Sequence, residues 1–167
     1  MARSVDMVNP VEHLYYVSSQ QEEQEAIIKK YEDQDFAVFN LMSLLNKNRI
    51  KDLAWILGAI GNGEYTGGMD SSAIIKVAKT YVHTKAEGPK RFNAAFNLYQ
   101  SEKDRVICMA LVNRGIALGI VRNHSGEYVV PEFEGKTFDT KSQMVEYLLR
   151  NEGKGSLREL LAEKVGL

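Results

Sequence analysis

Three histidines, a single cysteine and a glycine-rich loop are where reactive chemistry would first be sought in this chain. His13, His83 and His124 stand far apart in sequence. None has a second ligand at metal-binding spacing: there is no HExxH, no CxxC and no paired Asp-x-Asp loop. Each reads as a surface histidine, and no metal is expected. Cys108 lies within the run Val106-Ile107-Cys108-Met109-Ala110-Leu111-Val112, which makes it a core thiol rather than a nucleophile. The loop Gly61-Asn62-Gly63-Glu64-Tyr65-Thr66-Gly67-Gly68 has the glycines with which a backbone approaches phosphate. It lacks a Gly-Lys-Ser/Thr ending and follows no clear strand, so it reads as a linker. The acid pairs Glu22/Glu23 and Glu32/Asp33 fall on polar helix ends, where solvated carboxylates stay ionised and do no acid–base work. No catalytic residue and no cofactor are expected.

Charge is distributed more informatively than chemistry. The net charge of −1 offers no global steering toward nucleic acid or an anionic membrane. Residues 1–35, however, carry Arg3, Lys29 and Lys30 against eight acids, a net of −5. Residues 76–105 carry Lys76, Lys79, Lys85, Lys90, Arg91, Lys103 and Arg105 against Glu87, Glu102 and Asp104, a net of +4. Two solvated faces are the plain reading. The sharper one is a binding surface made of Lys76, Lys79, Lys90, Arg91, Lys103 and Arg105. Tyr81, Phe92, Phe96 and Tyr99 are interleaved with these cations, the mixture that grips a nucleic-acid backbone and stacks bases.

The elements that would position these residues follow from periodicity. Residues 1–18 show no clear period and form an N-terminal arm. A helical segment, 19–62, begins with a polar helix over 20–33, acidic in its first turns where the helix dipole favours it. Residues 35–46, with Phe36, Val38, Phe39, Leu41, Met42, Leu44 and Leu45, make a buried helix. Over 48–60, Ile50, Leu53, Ala54, Leu57 and Ile60 recur at steps of three and four. After the glycine loop, Asp70 or Ser71 caps a helix over 71–84 whose stripe is Ile74, Val77, Ala78, Tyr81 and Val82. Gly88-Pro89 stops it.

The domain 69–167 continues as a four-stranded antiparallel meander. In 91–99, Phe92, Ala94, Phe96 and Leu98 alternate with Asn93, Ala95, Asn97 and Tyr99, the period of a half-buried strand. A helix would also gather Phe92, Phe96 and Tyr99 on one face. The wholly polar stretch Gln100–Arg105 decides for a strand followed by a turn. Val106–Val112 is then a strand buried on both faces, Asn113-Arg114-Gly115 a hairpin turn, and Ile116–Val121 the returning strand. A turn at Asn123–Gly126 leads to Tyr128-Val129-Val130, which Pro131 ends. Thr140-Lys141-Ser142-Gln143 and Ser156-Leu157-Arg158-Glu159 are capping boxes opening two closing helices. The fold class is α+β, a helical N-terminal part followed by the meander flanked by helices, and 19–62 packs with it as one unit.

Over residues 55–150 this order resembles an SH2 domain. Trp55-Ile56-Leu57-Gly58-Ala59-Ile60 is similar to that family's opening Trp-x-x-Gly-x-Ile, and Phe96–Glu102 falls at its Phe-Leu-Val-Arg-x-Ser strand. Glu127–Val130, Thr137-Phe138 and Gln143–Tyr147 resemble the later strands and second helix. Tyr99 stands where the family's phosphotyrosine-binding arginine belongs, and Ile116–Val121 has no histidine. Tyrosine is no substitute for a bidentate arginine, so the resemblance implies the fold without phosphotyrosine binding. The helix–strands–helix order is also broadly that of double-stranded-RNA-binding domains.

At 167 residues with 44% apolar and 26% charged side chains, the chain suits one well-cored domain. A lone cysteine excludes an internal disulfide and suits a reducing compartment. No apolar run approaches the roughly 20 residues of a membrane span, and the N-terminus lacks the apolar stretch of a signal peptide. These features place the chain in the cytoplasm with no membrane partner. The function expected is a non-enzymatic regulatory protein acting through protein contacts, a homodimer being one form it takes. The alternative is a nucleic-acid-binding regulator using the basic segment, and an enzyme with a dispersed site ranks third.

Overall fold

The absence of glycine and proline between Val11 and Asn46 lets one helix run far beyond the two short ones expected there. The computed structural model, which describes the backbone of residues 10–166 and the side chains of residues 19–166, makes this helix α1, Pro10–Asn46. The arm expected over 1–18 therefore enters the helix at Pro10, and its first nine residues lie outside the described region. Asn48 ends α1: its left-handed backbone (φ 52°) turns the chain. The amides of Asn48 and Arg49 then donate to the carbonyls of Leu45 and Leu44, at 3.0 and 2.8 Å. Helix α2 (Ile50–Ile60) follows and stops at Gly61 in the left-handed region. Helix α3 (Ser71–Thr84) starts where Asp70 accepts the amide of Ala73 at 2.7 Å. Helix α4 (Gly88–Ser101) has Pro89 in its first turn, where its missing N–H costs nothing.

Two expected strands are helices. Residues 91–99 lie in α4, and Val106–Val112 lies in α5, Lys103–Ala117. The face that gathers Phe92, Phe96 and Tyr99 prevails over the alternation, because Phe92 and Tyr99 are buried together while Asn97 and Ala94 face solvent. The polar stretch that argued for a turn between strands is instead an exposed helix junction. Glu102 (φ −136°) both closes α4 and opens α5. The run Val106–Val112 lacks helical periodicity because α5 is covered on nearly every side, as a central helix must be. Asn113-Arg114-Gly115 is the last part of that helix, and the expected strand Ile116–Val121 is its end and the following turn.

Among the described residues sheet structure is confined to three short antiparallel strands, β1 (Arg122–His124), β2 (Glu127–Val129) and β3 (Thr137–Phe138), in that spatial order. Arg122 pairs with Val129 and Tyr128 with Phe138. The β1–β2 hairpin turns through Ser125 and Gly126, both at positive φ, the geometry that matches strand twist. The region expected as a four-stranded meander is thus mostly helical, with this small sheet beside it. Helices α6 (Lys141–Arg150) and α7 (Leu157–Val165) open on the expected caps, Thr140 accepting from Gln143 N and Ser156 from Glu159 N. The stretch around Phe96–Glu102, which the SH2-like order makes a strand, is helical.

Helix α5 divides two hydrophobic clusters. Val106 and Ala110 face the first, with Leu41 and Leu44 of α1, Leu53 and Leu57 of α2, Val82 of α3 and Phe92 of α4. Cys108, Leu111 and Val112 face the second, with Phe138, Met144, Leu148, Leu157 and Leu161. Trp55 and Met109 touch both. Close approach of α2 to α5 requires Gly58, where an added Cβ would stand 2.9 Å from the Cβ of Ala110.

Candidate interaction surface

Helix α1 is apolar on two sides, and among the described residues only one packs into the fold. Ala37, Leu41 and Leu44, at steps of four and three, pack inward. Ile28, Tyr31, Phe39 and Met42 line the other side and are 56, 69, 70 and 43% exposed. Their steps of three, eight and three form a continuous stripe, with Asp35 midway between Tyr31 and Phe39. At about 100° per residue this stripe lies on roughly the opposite side of the helix from the buried one. Phe36 and Ile27, also more than half exposed, widen it. A shallow depression formed by Glu32, Asp35, Phe36 and Phe39 sits in its middle. The expectation of a buried helix over 35–46 therefore holds for one face only.

The inner side is fixed in place by polar contacts as well as by the core. Asn93 of α4 donates to the carbonyl of Asp33 at 2.8 Å, and Asn40 donates to Asn93 Oδ1 at 3.0 Å. Gln34 and His83 approach at 3.3 Å. At the far end of the helix, Tyr99 donates to Asp52 Oδ1 at 2.5 Å, and Arg49 Nε stands 2.5 Å from the same carboxylate. Burial alone would raise the Asp52 carboxyl, but the hydrogen bonds from Tyr99 and Arg49 outweigh it and hold it below the usual value. Burial, and next the neighbouring carboxylate, push the Tyr99 phenol up. Phe39 and Met42 thus stand on the part of α1 that packs inward, whereas the side chains of residues 20–32 are exposed all round.

Charge close to the Ile28–Tyr31–Phe39–Met42 line is acidic, with Lys29 on its Phe36 margin. Helical spacing puts Glu25 and Glu32 at its edge and Asp35 within it. Lys29 and Lys30 also line a groove with Asp33, Glu87, Pro89 and Lys90 on the side facing α4.

The six cations expected to bind a partner are spread over three helices. Lys76 and Lys79 are exposed on α3, and Lys90 and Arg91 at the start of α4. Lys103 lies over the ring of Tyr99, 5.5 Å from its centroid. Arg105 is engaged by Glu102 at 2.5 Å and by Glu146, and it lines a groove between α2, α5 and α6. Lys85 pairs with Glu64 at 3.1 Å. Of the aromatic residues interleaved with them, Tyr81, Phe92 and Tyr99 are buried in the first cluster. Among the described residues no group of His, Cys, Asp and Glu could hold a metal ion. Burial pushes the Cys108 thiol up to about 11, so it stays protonated at neutral pH. Among the same residues no helix is long and apolar enough to cross a membrane.

Comparison with protein families, with curated proteins and with solved structures finds no match to this chain.

Sequence reasoning missed the outer stripe of α1 because it treated 20–33 and 35–46 as separate helices. The signal was present: Ile28, Tyr31, Phe39 and Met42 keep one phase across the boundary at Gln34.

Proposed function

We propose that this chain is a non-enzymatic interaction protein whose outer α1 face docks an amphipathic helix with basic flanks. The single observation that carries the reading is the stripe Ile28–Tyr31–Phe39–Met42, exposed along a helix that buries Ala37, Leu41 and Leu44 on its opposite side near its C-terminal end. Exposed apolar residues repeated in phase along a helix are the usual form of a helix-docking surface. The acidic edge specifies the partner. Glu25, Glu32 and Asp35 outnumber Lys29 along the stripe, so a second copy would set mostly acid against acid, whereas lysine or arginine flanks would complement it.

The nucleic-acid reading keeps the exposed Lys76, Lys79, Lys90 and Arg91 but loses its stacking platforms to the core. The test uses two synthetic peptides with the same leucine stripe, one flanked by lysines and the other by glutamates. The lysine peptide binds, weakens with salt, and no longer binds the Phe39→Ser variant. Sedimentation shows a monomer at the same concentrations. A dimer that Phe39→Glu dissociates would replace the partner helix with a second copy. Salt-sensitive retention on heparin or RNA, lost on Lys90→Glu with Arg91→Glu, would restore the nucleic-acid reading.

A further inference from the structure

The groove between α2, α5 and α6 has an apolar floor and two ends that differ in charge. Ala59, Val112 and Val145 are buried beneath it, and Ile60 and Met109, each partly exposed, also line it. Arg105, Met109 and Val112, at steps of four and three, share one face of α5 and set the groove along that helix. Its volume is about 340 Å³, at the small end of the range for small-molecule pockets, roughly 300–1,000 Å³.

Helix α6 runs antiparallel to α5 here. Arg105 reaches Glu146, and Arg158 bridges Asp104, in the first turn of α5, to Glu152, just past the end of α6. The start of α6, with Lys141 and Ser142, therefore lies toward the C-terminal half of α5, and the groove has an Arg105 end and a Lys141 end. At the first, the guanidinium is met twice, by Glu102 at 2.5 Å and by Glu146. At the second, Lys141 is exposed and makes no ion pair among the described residues. Asp139, two residues earlier, accepts from the Gln143 side chain at 3.5 Å.

We infer that this groove binds a small amphipathic monocarboxylate, its acid group on Lys141 and its apolar body along Ile60 and Met109 toward Arg105. One unpaired positive charge matches one negative charge. Orientation follows from the other end, where the carboxylates of Glu102 and Glu146 disfavour an anion. The apolar floor rewards a hydrocarbon body, by about fourfold in affinity for each methylene taken out of water. From Arg105 to Asn113 the groove follows α5 for about 12 Å, at roughly 1.5 Å per residue, which suits an extended chain of about eight carbons. No residue of α1 lines it, so the assignment does not depend on the α1 face.

Isothermal titration calorimetry of the full chain with sodium hexanoate, sodium octanoate and octylammonium chloride tests the assignment. Octanoate binds saturably at one site, about tenfold tighter than hexanoate, and octylammonium binds at least about fivefold more weakly than octanoate. Lys141→Glu weakens octanoate binding at least about threefold. Lys141 is exposed and unpaired, so this variant keeps the circular dichroism spectrum of the wild type. Phe39→Ser leaves the octanoate affinity unchanged, which separates the groove from the apolar stripe of α1. Absence of saturable octanoate binding overturns the assignment, and so does equal octanoate affinity in wild type and Lys141→Glu. Equal affinity for octanoate and octylammonium removes the role of charge and overturns it too. A loss of octanoate binding in Phe39→Ser would put the ligand on α1, against the assignment.

Discussion

Asp52 and Tyr99 show how one contact ties distant parts of the chain together. Tyr99 is buried at the end of α4, and its hydroxyl reaches a carboxylate that Arg49 also holds. Removing the hydroxyl in Tyr99→Phe leaves Asp52 short of a donor and costs about 1.5–3 kcal/mol at neutral pH, measurable by urea unfolding. The folded carboxyl titrates below its ordinary value of 3.8, so its contribution is complete above that value and is lost as pH falls through the lower folded one. The Tyr99→Phe penalty is therefore full at pH 7 and shrinks below about pH 3.8. A penalty that stays constant down to pH 2 would show that the carboxylate has no part in it. Cys108 belongs to the same scale: its raised thiol is a consequence of packing in the second cluster.

The elements show which sequence signals can be trusted. On α1, the two apolar faces separate cleanly by mutation. Leu41→Ala opens the first cluster and costs about 2–4 kcal/mol, whereas Phe39→Ser stays within about 0.5 kcal/mol because its ring touches little of the fold. Equal costs in a thermal or urea series would mean that the outer face is covered by the chain itself. Capping was legible: Asp70, Thr140 and Ser156 each accept the amide three residues on, because a cap depends on local residues alone. The helix stripes of α2 and α3 were legible for the same reason. The strand over 106–112 was misread because burial on nearly every side erases periodicity. Alternation at Phe92, Ala94 and Phe96 carried no weight once Phe92 and Tyr99 shared one buried helical face. The groove at Lys141 was beyond reach of pattern, since it joins Ile60 to a residue 81 positions away.

At the scale of the molecule, α5 is the wall common to both clusters, so neither half can lose its packing alone. Trp55, the single tryptophan, packs against both and reports on them together. Its fluorescence and the far-ultraviolet circular dichroism should give one coincident urea midpoint, and separated midpoints would show that the clusters unfold independently. What the assembled body leaves outside is the acidic, apolar flank of α1, and the proposed function stands on that flank. Fluorescence anisotropy of the lysine-flanked and glutamate-flanked peptides against wild type and Phe39→Ser tests it most directly. The account predicts binding of the lysine peptide only, at least tenfold weaker for Phe39→Ser and weaker in high salt. Equal binding of both peptides, or of the lysine peptide by wild type and variant alike, would contradict it.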